Sequence, residues 1–194
     1  MLKTKQLEYK LIENARRDLR QVKQLLEFDP LVIADIGANI GYYAQTLLSL
    51  FDNAKVHSYE PHPDNLQYLN EIKHERLTIH PYGLYTSDTE IEIGMRSDNN
   101  NGTYSIFNST NPTLVQFKNA NNETIRPDFI KMDIEGSEIF VLKCTDFLSQ
   151  TKAIMIEMVY MDDFKQNKLI SDQLEELGFS KKIKITKNDY LWLR

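Results

Sequence analysis

The stretch Ile33-Ala34-Asp35-Ile36-Gly37-Ala38-Asn39-Ile40-Gly41 decides the fold. An apolar run enters a glycine-bearing turn, and a helical pattern opens on the far side. That order makes a βα corner, where nucleotide-type ligands meet an α/β sheet. The glycines let the backbone come close to a ligand. Glu60 ends the next apolar run, about 20 residues beyond the turn, the spacing at which an acid grips the two hydroxyls of a ribose. The dinucleotide fingerprint G-x-G-x-x-G would need glycine where this chain has Asp35. A carboxylate there repels a pyrophosphate. It suits a ligand with cationic groups and no phosphate.

Outward from this corner, strands and helices alternate. The apolar runs at 31–36, 54–59, 77–80, 129–134 and 153–158 read as five strands. The periodic stretches at 41–50, 63–72, 137–148 and 167–177 read as helices between them, the last closed by Gly178. Such alternation predicts parallel strands joined by right-handed crossovers. Residues 181–185 and 190–193 form a closing hairpin around Lys187-Asn188-Asp189, so one strand runs antiparallel. Between the third and fourth strands, residues 81–125 carry short strand patterns at 90–95, 104–107 and 114–117, separated by Asn-rich turns. They read as an inserted β-hairpin region, with residues 97–110 as a lid that excludes water. The fold class is therefore α/β: a doubly wound, mostly parallel sheet with helices on both faces, a C-terminal antiparallel hairpin and a small β insertion.

Residues 5–27 form an amphipathic helix with Leu7, Leu11, Ala15, Leu19, Val22 and Leu26 on one side. It is expected to cover a face or edge of the sheet; pairing with a second copy, as a homodimer, stays open. Asp29-Pro30 breaks it. We expect one domain over 1–194, with the N-terminal helix at 1–29 and the core at 30–194.

Composition narrows the function. The 194 residues are 41% hydrophobic and 26% charged, and the net charge is −5. That charge argues against broad binding to nucleic acid. Lysines 181, 182, 184 and 187 read as protection of an exposed sheet edge. No apolar run is long enough to span a membrane. No apolar segment follows Lys3 and Lys5 to make a signal peptide. The single cysteine, Cys144, reads as a core residue and fits a reducing compartment, so a cytoplasmic protein is expected.

A doubly wound sheet binds its ligand at the carboxyl ends of its strands. Asp35, Glu60, Asp133 and Glu157 all fall at or near such ends. S-adenosylmethionine carries an ammonium and a sulfonium and lacks phosphate, so it fits the first two. Its candidate contacts are Asp35, Gly37, Asn39, Gly41, Glu60, Pro61, Tyr82 and Gly83. Asp35 is expected to hold the N–H groups of the turn or, through water, the ligand's ammonium. Gly37 and Gly41 are expected to leave room for the methionine part. His62 reads as a surface-loop residue. The second cluster is Lys131-Met132-Asp133-Ile134-Glu135-Gly136-Ser137-Glu138. Lys131 and Asp133 share a side of the strand, and a lysine in a central strand needs a partner, Asp133 or Glu157. Glu138 in the first turn of a helix reads as a favourable dipole contact. Zinc finds no ligand spacing here. Asp133, Glu135 and Glu157 offer the oxygens for a Mg²⁺ ion, although nothing in the sequence requires one.

Three segments together resemble the FkbM family of class I S-adenosylmethionine-dependent methyltransferases. They are Asp35 to Tyr43, Tyr59-Glu60-Pro61-His62-Pro63-Asp64-Asn65, and Lys131 to Glu138. The Lys-x-Asp-x-Glu-Gly-x-Glu pattern of the third is the most specific. The likeness runs from about residue 31 to 160, and Gly102 to Ser105 fit a weaker element. The resemblance implies a seven-stranded sheet and O-methylation of a hydroxyl on a sugar, polysaccharide or natural product. The residues assigned to catalysis are then Asp133, with Glu135, Glu157 and Lys131 in support. A non-catalytic S-adenosylmethionine-binding protein and an NAD-dependent oxidoreductase remain as alternatives.

Overall fold

The structure, a computed structural model, describes residues 2–96, 104–105, 109–158 and 164–194. Helix α1, Leu2–Leu25, ends ahead of Asp29-Pro30. The core then alternates: β1 Val32–Ile36, α2 Tyr42–Leu50, β2 Lys55–Tyr59, α3 Pro63–Leu69 and β3 Leu77–His80. The insertion supplies β4 Gly83–Tyr85, β5 Thr89–Arg96, β6 Tyr104–Ser105 and β7 Ser109–Asn119. The chain returns through β8 Phe129–Met132, α4 Glu138–Leu142, β9 Ala153–Glu157, α5 Phe164–Glu176, β10 Lys181–Lys184 and β11 Asp189–Leu193.

The main sheet has seven strands in the order β10-β11-β9-β8-β1-β2-β3. Only β11 is antiparallel to its neighbours. After β3 the chain crosses back to lay β8 on the other side of β1, so the strand order reverses between β1 and β8. A crevice opens at the carboxyl ends of the strands at such a point.

Strand alternation divides the core. Ile33, Val56, Phe129 and Met155 face one side, where Leu19 and Val22 of α1 and Leu47 of α2 cover them. Ala34, Ile130, Ile154 and Ile156 face the other, under α4 and α5. The central strands β1, β8 and β9 are buried on both faces, which is why their runs are continuously apolar rather than alternating. Helix α1 thus covers a face of the sheet, the first of the two expected roles.

The insertion differs from the expected hairpin. It forms a separate four-stranded sheet, β4-β7-β5-β6, in which β4 runs parallel to β7. The run Gly83–Tyr85 is too short for sequence periodicity to reveal. Residues 106–107 of the expected 104–107 strand, and most of the expected lid at 97–110, lie outside the described residues.

Helix α4 is shorter than expected, five residues where the pattern extends to 148. The Thr145-Asp146 pair interrupts it, and the side chain of Asn121 accepts the N–H groups of Asp146 and Phe147 at 3.1 and 3.2 Å. Those bonds stabilise a new turn in place of a continuing helix. Among the described residues no helix is long and apolar enough to cross a membrane.

Candidate functional site

A cleft opens at the reversal point, where ligands of such sheets bind. Gly37, Asn39, Glu60, Pro61, Asn65 and Gly83 line it on the side of β1 and β2. Asp133, Glu135 and Ser137 line it on the side of β8.

The turn after β1 is held by its own hydrogen bonds. Gly37 and Ala38 both donate to the carbonyl of Tyr59 at 3.0 Å. Asn39 N–H donates to Glu60 Oε2 at 2.8 Å, Ile40 N–H to Asn39 Oδ1 at 2.7 Å, and Gly41 N–H to Ala38 O at 3.0 Å. Every N–H from residue 37 to 41 is therefore used inside the protein. Gly37 (φ +81°) and Gly41 (φ +94°) take left-handed conformations. A Cβ on Gly37 would overlap the carbonyl oxygen of Asp133, so this glycine lets the β1 and β8 loops touch. A Cβ on Gly41 would overlap Ile72 and approach Leu69 at 2.8 Å. The room expected beside a ligand at Gly41 is instead occupied by the packing of α3.

Glu60 is buried and faces the cleft. Its other oxygen accepts the N–H of His62 at 2.8 Å, and Asn65 supplies a further side-chain bond. Burial raises its pKa, against these hydrogen bonds and the charge of Lys131. His62 is not on a surface loop. It is 3% exposed and caps α3, its Nδ1 accepting the N–H of Asp64 at 3.3 Å. Asn65 is the residue that sequence reasoning missed. Its position inside the Glu-Pro-x-Pro-x-Asn run was the available signal.

Asp35 departs from its expected place. It is fully buried and absent from the cleft wall. It accepts a bond from Ser58 Oγ at 3.3 Å and faces Lys131 Nζ at 3.8 Å. It does not hold the turn's N–H groups, which Tyr59 and Glu60 have taken. Burial raises its pKa more than Lys131 and Ser58 lower it. Tyr82 is also off the wall. Its hydroxyl donates to Glu123 Oε1 at 3.0 Å and lies 3.0 Å from His80 Nδ1, because the ring packs beside Tyr59 and His80.

Lys131 is 3% exposed and ties the two walls together. Its ammonium meets Asp133 Oδ2 at 3.4 Å and donates to the carbonyl of Gly37 at 3.3 Å. It also lies 4.5 Å from the centroid of the Tyr43 ring. Burial lowers its pKa, but Asp133 and Asp35 outweigh burial and raise it, so the ammonium keeps its proton. Of the two expected partners Asp133 is present. Asp35, rather than Glu157, is the second.

The acidic cluster gathers beyond β8. Carboxylate oxygens of Asp133, Glu135 and Glu157 lie within 4.8 Å of one another. Glu135 has φ +52°, followed by Gly136 at +107°, a left-handed pair that turns the chain sharply. A non-glycine residue held there is a costly arrangement concentrated at functional sites. Burial, then the charge of Asp133 and a hydrogen bond with it, push Glu157 far above the carboxylate range. Three such oxygens also meet the donor chemistry of Mg²⁺.

Glu138 does more than face the helix dipole. It is 2% exposed, and its Oε1 accepts the N–H groups of Ile134 and Gly136 at 3.2 and 3.3 Å. Burial pushes it up to about 7, against those bonds. It fixes the loop that carries Glu135.

The strand order and the phosphate-free turn define a Rossmann-like α/β domain of the methyltransferase type. Two solved structures share that fold. Fibrillarin of Aeropyrum pernix, in complex with natively bound S-adenosyl-L-methionine, superposes with a TM-score of 0.56 at 10% identity, covering 92% of this chain and 75% of that one. Precorrin-6y C5,15-methyltransferase of Geobacter metallireducens superposes with a TM-score of 0.55 at 13% identity, covering 91% and 88%. Residues 35–181 match the Methyltransferase FkbM domain, and the chain belongs to that family. It is 29% identical over 150 residues to the hexuronic acid methyltransferase AglP of Haloferax volcanii. That alignment covers 73% of this chain and 62% of the relative, so the chain spans less than two thirds of its length.

Proposed function

We propose that this protein is an S-adenosylmethionine-dependent O-methyltransferase that acts on a hydroxyl of a sugar. The observation that carries this reading is the turn at 37–41, whose N–H groups are all spent within the protein while the Glu60 carboxylate faces the cleft. A pyrophosphate needs free N–H donors, and a ribose diol needs an acceptor. This chain supplies the acceptor alone, which favours S-adenosylmethionine over NAD. Family membership and the sugar-acid specificity in the name of the Haloferax volcanii relative support the acceptor class.

The donor chemistry of the cleft fits this cofactor. In this reading Gly37, Asn39, Glu60, Pro61, Asn65 and Gly83 hold it, and Asp35 acts through Lys131 rather than by touching it. When bound, S-adenosylmethionine supplies an activated methyl group. The residues have simpler tasks. Asp133 accepts the proton of the acceptor hydroxyl as the carbon–oxygen bond forms, and Glu157 and Glu135 place that carboxylate. Lys131 orients Asp133 through their contact at 3.4 Å. The cleft walls position the acceptor in line, a large part of what methyl transfer requires.

Calorimetric titration with S-adenosylmethionine and with NAD tests the reading, followed by labelled-methyl transfer to a panel of free and polymeric sugars. Binding of S-adenosylmethionine and labelled sugar are expected. Binding of NAD alone would overturn the proposal. Cofactor binding with no transfer to any hydroxyl acceptor would favour a binding protein instead.

A further inference from the structure

We propose that the acceptor is an anionic saccharide, whose carboxylate-bearing residues beside the methylated one lie in a lysine-lined groove next to the acidic cluster. This inference rests on the sugar-methyltransferase reading and gives its substrate a charge. The groove lies open to solvent between α5 and the β10–β11 hairpin. Lys182 and Lys184 sit two apart on β10 and share one face of the sheet, and Lys187 in the hairpin connection adds a third ammonium. All three are exposed. Among the described residues no carboxylate lies within ion-pair distance of any of them, whereas the fourth lysine of the groove, Lys168, is paired with Asp172 at 2.6 Å. The ammonium groups of Lys182 and Lys184 lie 4.5 and 5.9 Å from the centroid of the Tyr190 ring, and Lys182 also donates to Ser171 Oγ at 3.3 Å.

In a chain of net charge −5 this is a local reversal of sign. Protection of an edge strand explains lysines on β10, which does lie at the sheet edge. It does not explain Lys187, which is off the strand. The position is telling. Two antiparallel pairings, β10 with β11 and β11 with β9, make β10 run with β9. Lys184 and Lys187 therefore lie at the carboxyl end of the sheet, the end that holds the cleft. Tyr190, which lines the groove, pairs in register with Ile156 and so faces the side of the sheet away from Glu157 and Asp189; a glycan reaching both passes round the carboxyl ends of β9 and β11. Met158, which follows Glu157, lines it too. Three ammonium groups in one groove match a few carboxylates of a short glycan; a nucleic acid calls for a longer basic track.

The test uses the full chain and a fluorescently labelled oligogalacturonate, with a neutral maltooligosaccharide of equal length, a single-stranded oligonucleotide and phosphatidylglycerol vesicles as comparisons. The wild type is expected to bind oligogalacturonate and not the neutral sugar. The double substitution Lys184→Gln, Lys187→Gln should weaken that binding by about 2- to 30-fold, the worth of two exposed ion pairs. It should leave melting temperature and S-adenosylmethionine affinity unchanged. Absence of oligogalacturonate binding by the wild type, equal binding by the variant, or tighter binding to oligonucleotide or vesicles would overturn the proposal. Cofactor titration of the same preparation keeps the two readings apart. Cofactor binding without oligogalacturonate binding removes the anionic acceptor alone, and the reverse result removes the methyltransferase reading.

Discussion

Replacing Glu60 by glutamine removes one charge and leaves the shape nearly unchanged, so its cost can be worked from the bonds that the carboxylate makes. A carboxylate offers about four lone-pair sites. The N–H groups of Asn39 and His62 take two and Asn65 a third. One remains for a ribose hydroxyl. A hydrogen bond to a charged group is worth about 1.5–3 kcal/mol, so Glu60→Gln should weaken S-adenosylmethionine about 10- to 150-fold. The amide also turns an N–H₂ toward one of the two backbone N–H groups. That leaves a buried donor without a partner, which costs about 1–3 kcal/mol of stability. Glu60→Ala orphans both donors and should cost about twice as much, a large part of a total stability of about 5–15 kcal/mol. Calorimetric titration of the glutamine variant, at a temperature where its near-UV circular dichroism is native, measures the first effect; thermal melting measures the second. A folded Glu60→Gln protein that binds the cofactor with native affinity would refute the reasoning, since the carboxylate would then serve the turn and nothing else.

Asp133→Asn should leave cofactor affinity intact and lower turnover about 10²- to 10⁴-fold, as loss of a general base does; a destabilised variant with full specific activity would return Asp133 to a purely structural pairing with Lys131. Lys131→Met should cost about 3–5 kcal/mol in urea unfolding, because Asp35 is left buried without a cation; a loss below about 1 kcal/mol would contradict that. Gly37→Ala should destabilise more than Gly41→Ala. The first meets the Asp133 backbone and the second the movable ends of Ile72 and Leu69, so equal melting temperatures would count against this account. Glu138 sets a pH dependence. Its pKa is raised from 4.5 to about 7 on folding, so the folded state binds the extra proton between those values. The stability it contributes is full below the unfolded pKa and is lost as pH rises through about 7. Melting curves of Glu138→Gln should fall less steeply than the wild type from pH 4.5 to 7, and parallel curves would refute the assignment.

The middle of the main sheet was legible because β1, β8 and β9 are buried on both faces and so read as unbroken apolar runs. Local patterns failed where long-range partners decide. Gly83–Tyr85 is a strand only because Phe117, Lys118 and Asn119 lie beside it, more than thirty residues later in the chain. Helix α4 stops early because Asn121, from another element, supplies acceptors for the next turn. At the site, the carboxylates at strand ends were visible and their partners were not. Asp35 looked like a ligand contact because it and Glu60 both end strands beside the glycine turn. Its burial against Lys131 depends on the register of β1 with β8, in which Asp35 stands opposite Lys131. Glu60 was read for its reach toward a ligand, and its grip on Asn39 and His62 was hidden, since backbone donors carry no sequence signature.

That grip has a consequence for cofactor exchange, whether by evolution or by design. The ribose acceptor and the turn form one closed circuit, in which Glu60 clamps Asn39 and Tyr59 clamps Gly37 and Ala38. A pyrophosphate cradle would have to free several of these N–H groups at once. Exchanging Asp35 for glycine would remove the repulsive charge, yet it would release none of those donors and would leave Lys131 with a single acid partner. Each step toward a dinucleotide site is therefore a loss before it is a gain, and the turn stands isolated from its phosphate-binding cousins by a valley that no single substitution crosses.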